Sequence, residues 1–78
     1  MITPEDLEWL EAVARAGNMS RAAERLGISQ PAISHWLHRL EARLKRPVFR
    51  RSRRGTELTQ YGEKLRAHAT ELRRGWEE

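Results

Sequence analysis

Cysteine is absent from this 78-residue chain, which excludes disulfide staples and thiolate metal sites and leaves the fold to be held by packing alone. No apolar run approaches the ~20 residues that a bilayer-spanning helix needs. Met1-Ile2-Thr3-Pro4 has neither the basic start nor the apolar core of a signal peptide. A soluble, cytoplasmic protein without membrane contact is expected. Repeats, low-complexity tracts and flexible linkers are missing too, so the chain holds one domain. There is no phosphate-cradling glycine loop, no Ser/His/Asp set, no thiol nucleophile and no convincing carboxylate pair, and so short a chain leaves little room for a water-excluding cleft. Enzymatic chemistry is not expected, and no cofactor is required. A monomer of this size is only marginally stable, which favours help from a second subunit.

What is present is charge, and it is polarised. The net charge is +4, yet residues 1–14 carry Glu5, Asp6, Glu8 and Glu11 and no base, whereas 45–54 carry Lys45, Arg46, Arg50, Arg51, Arg53 and Arg54 and no acid. Taken alone, such a block is a solvated surface. Beside a helix-turn-helix it favours a polyanion.

Four helical patterns and one short basic hairpin follow one another. Thr3 is a good N-cap, Pro4 suits the first helical position, and Glu5 with Asp6 complements the positive end of the helix dipole. A helix is therefore expected from here to about Ala16, stopping at Gly17-Asn18, with Leu7, Leu10, Val13 and Ala14 as its buried stripe and Trp9 to the side. Ser20 is expected to cap a second helix, whose Ala22, Ala23 and Leu26 let another helix approach closely. Gly27 supplies the positive φ just past its end, Ile28 plugs the turn, and Ser29 caps the third helix.

In that third helix, about 30–44, Ile33, Leu37, Leu40 and Leu44 form the expected buried stripe, and the opposite side carries Pro31, His35, His38 and Ala42. That side has nothing large and apolar to bury. Gln30 sits in the first turn, and Ser34 and Arg39 flank the exposed side. A glutamine amide donates and accepts at once, which matches an adenine edge in a major groove. Pro47 pushes Arg46 out of helical geometry, so the helix ends near Leu44 or Lys45. Val48 to Arg51 reads as a strand, Ser52-Arg53-Arg54-Gly55 as a turn and Thr56 to Leu58 as the returning strand. Phe49 and Leu58 then point inward, and Arg53 and Arg54 stand at the tip of a wing, within reach of phosphate or a narrow minor groove.

Thr59 caps the last helix, along which Tyr61, Leu65, Ala69, Leu72 and Trp76 recur at spacings of three and four over roughly 22 Å. Beyond about Arg66 so small a body is not expected to cover this stripe. Leu65, Ala69, Leu72 and Trp76 are therefore read as a subunit interface.

These residues resemble the DNA-binding domain of LysR-type transcriptional regulators. The resemblance runs through Ala22-Ala23, Leu26, Ser29-Gln30-Pro31-Ala32-Ile33-Ser34, Leu40-Glu41, Leu44, Pro47-Val48-Phe49, Arg51, Leu58-Thr59 and Gly62, nearly the whole chain. It implies a mainly α fold: a winged helix-turn-helix with a three-helix core and a two-stranded β wing over 1–58, then a long linker or dimerisation helix over 59–78. It further implies a homodimer, double-stranded DNA with an interrupted inverted repeat as partner, and a small-molecule effector sensed only by a two-lobed domain outside these 78 residues. Carried over by position, base reading falls on Gln30, Pro31, Ser34 and His35, phosphate contacts on Ser20, Arg39 and Arg51, and the wing tip on Arg53 and Arg54. With Ser29 and His38 these make up the expected DNA-facing set.

Three departures stand out. The family usually has glycine where Lys45 stands, and a lysine in a left-handed cap costs about 1 kcal/mol, which opens the alternative of a differently built helix end. Trp36 occupies a commonly polar position, about 70° from the centre of the expected stripe; it is expected to pack under the wing, the alternative being the sugar backbone. His35 replaces a frequent arginine, which reduces reach and fixed charge.

Rival readings are bland or remote. His35, His38 and Glu41 have a spacing that could hold a metal, but such sets on helices are usually solvated faces, and no metal site is assigned. His68 is read as a surface or interface residue. A small helical protein-interaction module with a basic surface explains the charge and the stripe but not Gln30 and Ser34 on the exposed face.

Overall fold

The computed structural model describes residues 2–77, and of Thr70, Leu72, Arg73, Trp76 and Glu77 the backbone alone. Helix α1 spans Pro4–Ala16, α2 Met19–Leu26, α3 Gln30–Leu44 and α4 Gln60–Glu77; strands β1, Phe49–Ser52, and β2, Gly55–Leu58, lie between α3 and α4. Among the described residues no helix is long and apolar enough to cross a membrane.

Local chemistry sets each boundary. The Thr3 hydroxyl accepts from the Asp6 amide at 3.0 Å while the Asp6 carboxylate accepts from the Thr3 amide at 3.0 Å, a reciprocal capping box with Pro4 behind it. Gly17, at φ 65, closes α1 in the left-handed region. The second helix corrects the sequence reading: Asn18, not Ser20, is its cap, with the Asn18 side chain accepting from the Arg21 amide at 3.0 Å. An asparagine one residue before the helix serves the same orphan amides as a serine would, and the two are indistinguishable by spacing alone. Lys45 takes the left-handed C-cap at φ 58 and ψ 31 despite its side chain.

Leu10, Val13, Met19, Ala22, Ala23, Ile33, Trp36, Leu40, Val48 and Phe49 form one buried cluster, drawn from the three helices and the start of the wing. The buried face of α3 is Ile33, Trp36 and Leu40, with Leu37 and Leu44 only half-buried, so it is turned by roughly 40° toward Trp36 from the expected stripe. Trp36 therefore packs neither under the wing nor on a DNA backbone. Its ring meets Trp9 of α1 edge-on with centroids 5.6 Å apart, and its Nε1–H donates to Asp6 at 2.9 Å. Asp6 also accepts from Arg43 at 3.0 Å. Burial pushes the Asp6 carboxyl toward the neutral form, but the hydrogen bonds from the Thr3 amide, Trp36 and Arg43 outweigh it and hold the pKa below its ordinary value.

The wing is an antiparallel pair in the register Phe49↔Leu58 to Ser52↔Gly55. Its turn is therefore two residues, Arg53 and Arg54, not the four expected. Neither arginine has positive φ; Gly55, at φ 117, absorbs the twist. The wing also meets the α1–α2 corner, where the Thr56 amide donates to the Gly17 carbonyl at 2.9 Å, and a Cβ on Gly55 would run into that same carbonyl.

Thr59 starts α4, its hydroxyl accepting from the Gly62 amide at 3.0 Å and its amide donating to the Val48 carbonyl at 2.9 Å. Gly62 lies so close to the Val48 carbonyl and Leu58 that a side chain there would clash with both. Farther along, Arg66 grips Glu11 of α1 through two bonds of 2.9 Å, and Arg15 adds a third at 2.6 Å. Arg66, ahead of Arg15, holds the Glu11 pKa down to about 2 against the opposing effect of burial. A carboxylate with a depressed folded pKa stabilises the fold above its ordinary pKa, and that contribution is lost as pH falls through the folded value. The grip of α4 on α1 is therefore expected to weaken between about pH 4.5 and about pH 2, measured as Trp fluorescence or amide exchange on acid titration; Glu11→Gln should remove that part of the acid dependence.

Candidate nucleic-acid interface

The α2–turn–α3 unit is built to present one polar face. Gly27, at φ 71, turns the chain, with its amide bonded to the α2 carbonyls, and the Ser29 hydroxyl accepts from the Ala32 amide at 3.2 Å to start α3. With Ile33, Trp36 and Leu40 inward, the outward face of α3 carries Pro31, Ser34, His35 and His38, with Gln30 at its tip. All of the expected DNA-facing residues, namely Ser20, Ser29, Gln30, Pro31, Ser34, His35, His38, Arg39, Arg51, Arg53 and Arg54, are exposed.

Two hollows flank that face on the wing side. One is lined by Ser20 from the start of α2, Gln30 from the start of α3 and Arg51 from β1, together with Ser52 and Thr56. The other runs between α3 and β1 and is lined by Ser34, His38, Glu41, Phe49 and Arg51. Arg51 stands on the boundary of both. Arg39 lies apart, on the opposite flank beside Thr3, Trp36 and Arg43. Arg53 and Arg54 form the wing tip, with the Arg54 amide held by the Ser52 hydroxyl at 3.1 Å.

Charge is arranged to match. Among the described residues Arg15, Arg43, Arg50 and Arg66 each have a carboxylate partner, whereas Arg39, Arg51, Arg53 and Arg54 have none. Arg51, Arg53 and Arg54 share the wing, and cations gathered there without carboxylate partners concentrate positive potential; Arg21, Arg25 and Arg46 elsewhere also lack a carboxylate partner among the described residues. His35, His38 and Glu41 do not converge on a shared point: the Glu41 carboxylate is turned to the backbone of the wing, accepting from the Val48 amide at 2.6 Å and the Phe49 amide at 3.2 Å. Left without that acceptor, two amides in a buried stretch would cost about 1–3 kcal/mol each.

Sequence reasoning misses three supports of this surface. On the sequence Asp6 only complements the helix dipole, although its place three residues after Thr3 signals the capping box. Glu41 enters only as part of a family pattern, and the Gly17 carbonyl carries no sequence signal. The expected subunit-interface residues lie along α4. Leu65 is half-buried against the core and Ala69 is 7 % exposed within a single chain, while the side chains of Leu72 and Trp76 lie outside the described residues.

Comparison with known proteins agrees with this architecture. Residues 4–63 match the model of the bacterial regulatory helix-turn-helix protein, lysR family. The transcriptional regulator BudR of Raoultella terrigena is 46 % identical over 66 residues, 85 % of this chain and 23 % of that protein. BudR of Klebsiella aerogenes is 51 % identical over 57 residues, 73 % of this chain and 40 % of that protein. The chain thus spans less than half the length of these curated relatives. Among solved structures, the CbnR DNA-binding domain in complex with DNA superposes with a TM-score of 0.77 at 44 % identity, covering 85 % of this chain and 76 % of that one. The BenM DNA-binding domain in complex with benA site 1 DNA gives 0.82 at 27 % identity, covering 91 % and 80 %. The four helices and two-stranded antiparallel wing of this chain match the winged-helix architecture of those domains. The chain belongs to the lysR family of bacterial regulatory helix-turn-helix proteins.

Proposed function

We propose that this chain is the DNA-reading part of a cytoplasmic transcriptional regulator, placing α3 in a major groove with Gln30, Pro31, Ser34 and His35 at base edges and Ser20, Arg39, Arg51 and the wing tip at the backbone. The observation that carries this reading is the convergence of Ser20, Gln30 and Arg51, from three separate elements, on one open hollow. Two structural relatives, CbnR and BenM, were solved as DNA-binding domains on DNA, which supports a duplex as ligand. Binding of an interrupted inverted repeat by a homodimer paired through α4 is part of the same proposal, as is effector sensing by the portion of the relatives that this chain does not match. No reaction is assigned to the chain, since its relatives are regulators.

Selection from a random duplex pool tests the reading: recovery of a two-half-site consensus supports it, and recovery of unenriched sequence contradicts it. Replacing Arg53 or Arg54 by alanine is expected to flatten the plot of log affinity against log salt by up to ~0.9 for each phosphate that is no longer neutralised. An unchanged slope would put the wing tip in solvent. For the dimer, Leu72→Glu is expected to shift sedimentation toward monomer and weaken binding to a paired site far more than to a single half-site. Binding to an acidic protein but to no duplex would favour the interaction module.

A further inference from the structure

We propose that Glu41 is a positioning residue that fastens the wing to α3 and thereby sets where Arg51, Arg53 and Arg54 meet the duplex; this rests on α3 and the wing binding DNA. The wing is a two-stranded sheet, and among the described residues no further strand braces it. Its other backbone ties run to the Gly17 carbonyl at the α1–α2 corner and to Thr59 at the start of α4. Among the described residues only Glu41 hydrogen-bonds from α3 to the wing, through one carboxylate oxygen that takes the amides of Val48 at 2.6 Å and Phe49 at 3.2 Å. Arg51 lies two residues beyond Phe49, on the same side of the strand, and the two line one hollow with Ser34, His38 and Glu41. A grip on the Phe49 amide therefore fixes how far along α3 the Arg51 guanidinium stands. The Lys45 to Pro47 connection, with a lysine in the left-handed region at φ 58, gives the wing its direction, and Glu41 ties its base to α3.

The sign of the effect separates this role from that of a bystander. A carboxylate lining a groove that faces a polyanion opposes binding, so removing a carboxylate without positional work tightens the complex. Removing one that positions cations loosens it. Glutamine keeps an oxygen of the same reach and can still accept both amides, whereas alanine keeps none.

The test is fluorescence-anisotropy titration of wild type, Glu41→Ala and Glu41→Gln against a selected duplex across a salt series, with hydroxyl-radical footprinting of each complex. Glu41→Ala is expected to lose about tenfold or more in affinity, with a flatter salt slope and weaker protection at the wing's phosphates. Glu41→Gln is expected to bind as tightly as wild type or more tightly. If Glu41→Ala melts below the assay temperature, Glu41→Asp, one methylene short of the wing, replaces it with the same expected loss. Tighter binding by Glu41→Ala, an unchanged slope and footprint, or equal losses in Glu41→Ala and Glu41→Gln would each overturn the proposal. Absence of any complex with wild type would instead overturn the DNA-binding reading itself.

Discussion

Replacing Asp6 by alanine is expected to lower the unfolding free energy by about 2–4 kcal/mol. Three losses add up. The Thr3 amide loses its acceptor and α1 its capping box, worth about 1 kcal/mol. The Trp36 Nε1–H, on a side chain only 3 % exposed, is left as a buried donor, at about 1–3 kcal/mol. The Arg43 ion pair contributes least, because that side chain is 47 % exposed and well screened. Asp6→Asn keeps one oxygen for Trp36 and should cost less than half as much. Urea unfolding of the two variants checks the ranking; equal, small losses would mean that Asp6 does not hold α1 to α3. Because Trp36 sits on the back of the helix that carries the polar face, Asp6→Ala should also blur the orientation of α3 and weaken DNA binding at temperatures where the variant is still folded.

Gln30→Ala is expected to lower discrimination between the preferred site and scrambled DNA by about 1–3 kcal/mol while leaving stability within about 0.5 kcal/mol. Both halves follow from its location. Gln30 is exposed at the start of α3, outside the buried cluster, whereas Ser29 and Pro31 beside it start the helix. An amide at that tip can donate and accept together, so its loss is expected to remove base information and to leave the proposed backbone contacts of Ser20 and Arg51 in place. Affinity for scrambled DNA should therefore barely change. An equal loss on both duplexes would assign Gln30 to the backbone instead of a base.

Much of this architecture is legible in the sequence because the signals are local. Thr3-Pro4, Gly17, Gly27, Ser29-Gln30-Pro31 and Thr59 each dictate a helix start or stop within one turn, and the structure has its boundaries at those residues. The exposed face of α3 is legible for the same reason, since the absence of large apolar residues on one side is a property of the wheel alone. What escapes depends on interactions across the chain. Trp36 turns inward because Asp6, thirty positions away, offers its indole an acceptor and Trp9 offers it a ring edge. Arg66 clamps α4 against α1 through Glu11, 55 positions earlier, a pairing that no local spacing signals. The turn at the wing tip is short because the Ser52↔Gly55 pair closes next to the Gly17 carbonyl, which admits no side chain at residue 55.

If the outward face of α3 and the wing together read a duplex, amide chemical-shift mapping during titration with a selected oligonucleotide will give saturable shifts concentrated at Ser20, Gln30 to Arg39 and Arg51 to Arg54, with the exposed side of α1 nearly silent. Shifts centred on α1 or α4, or no shifts at low ionic strength, would contradict it.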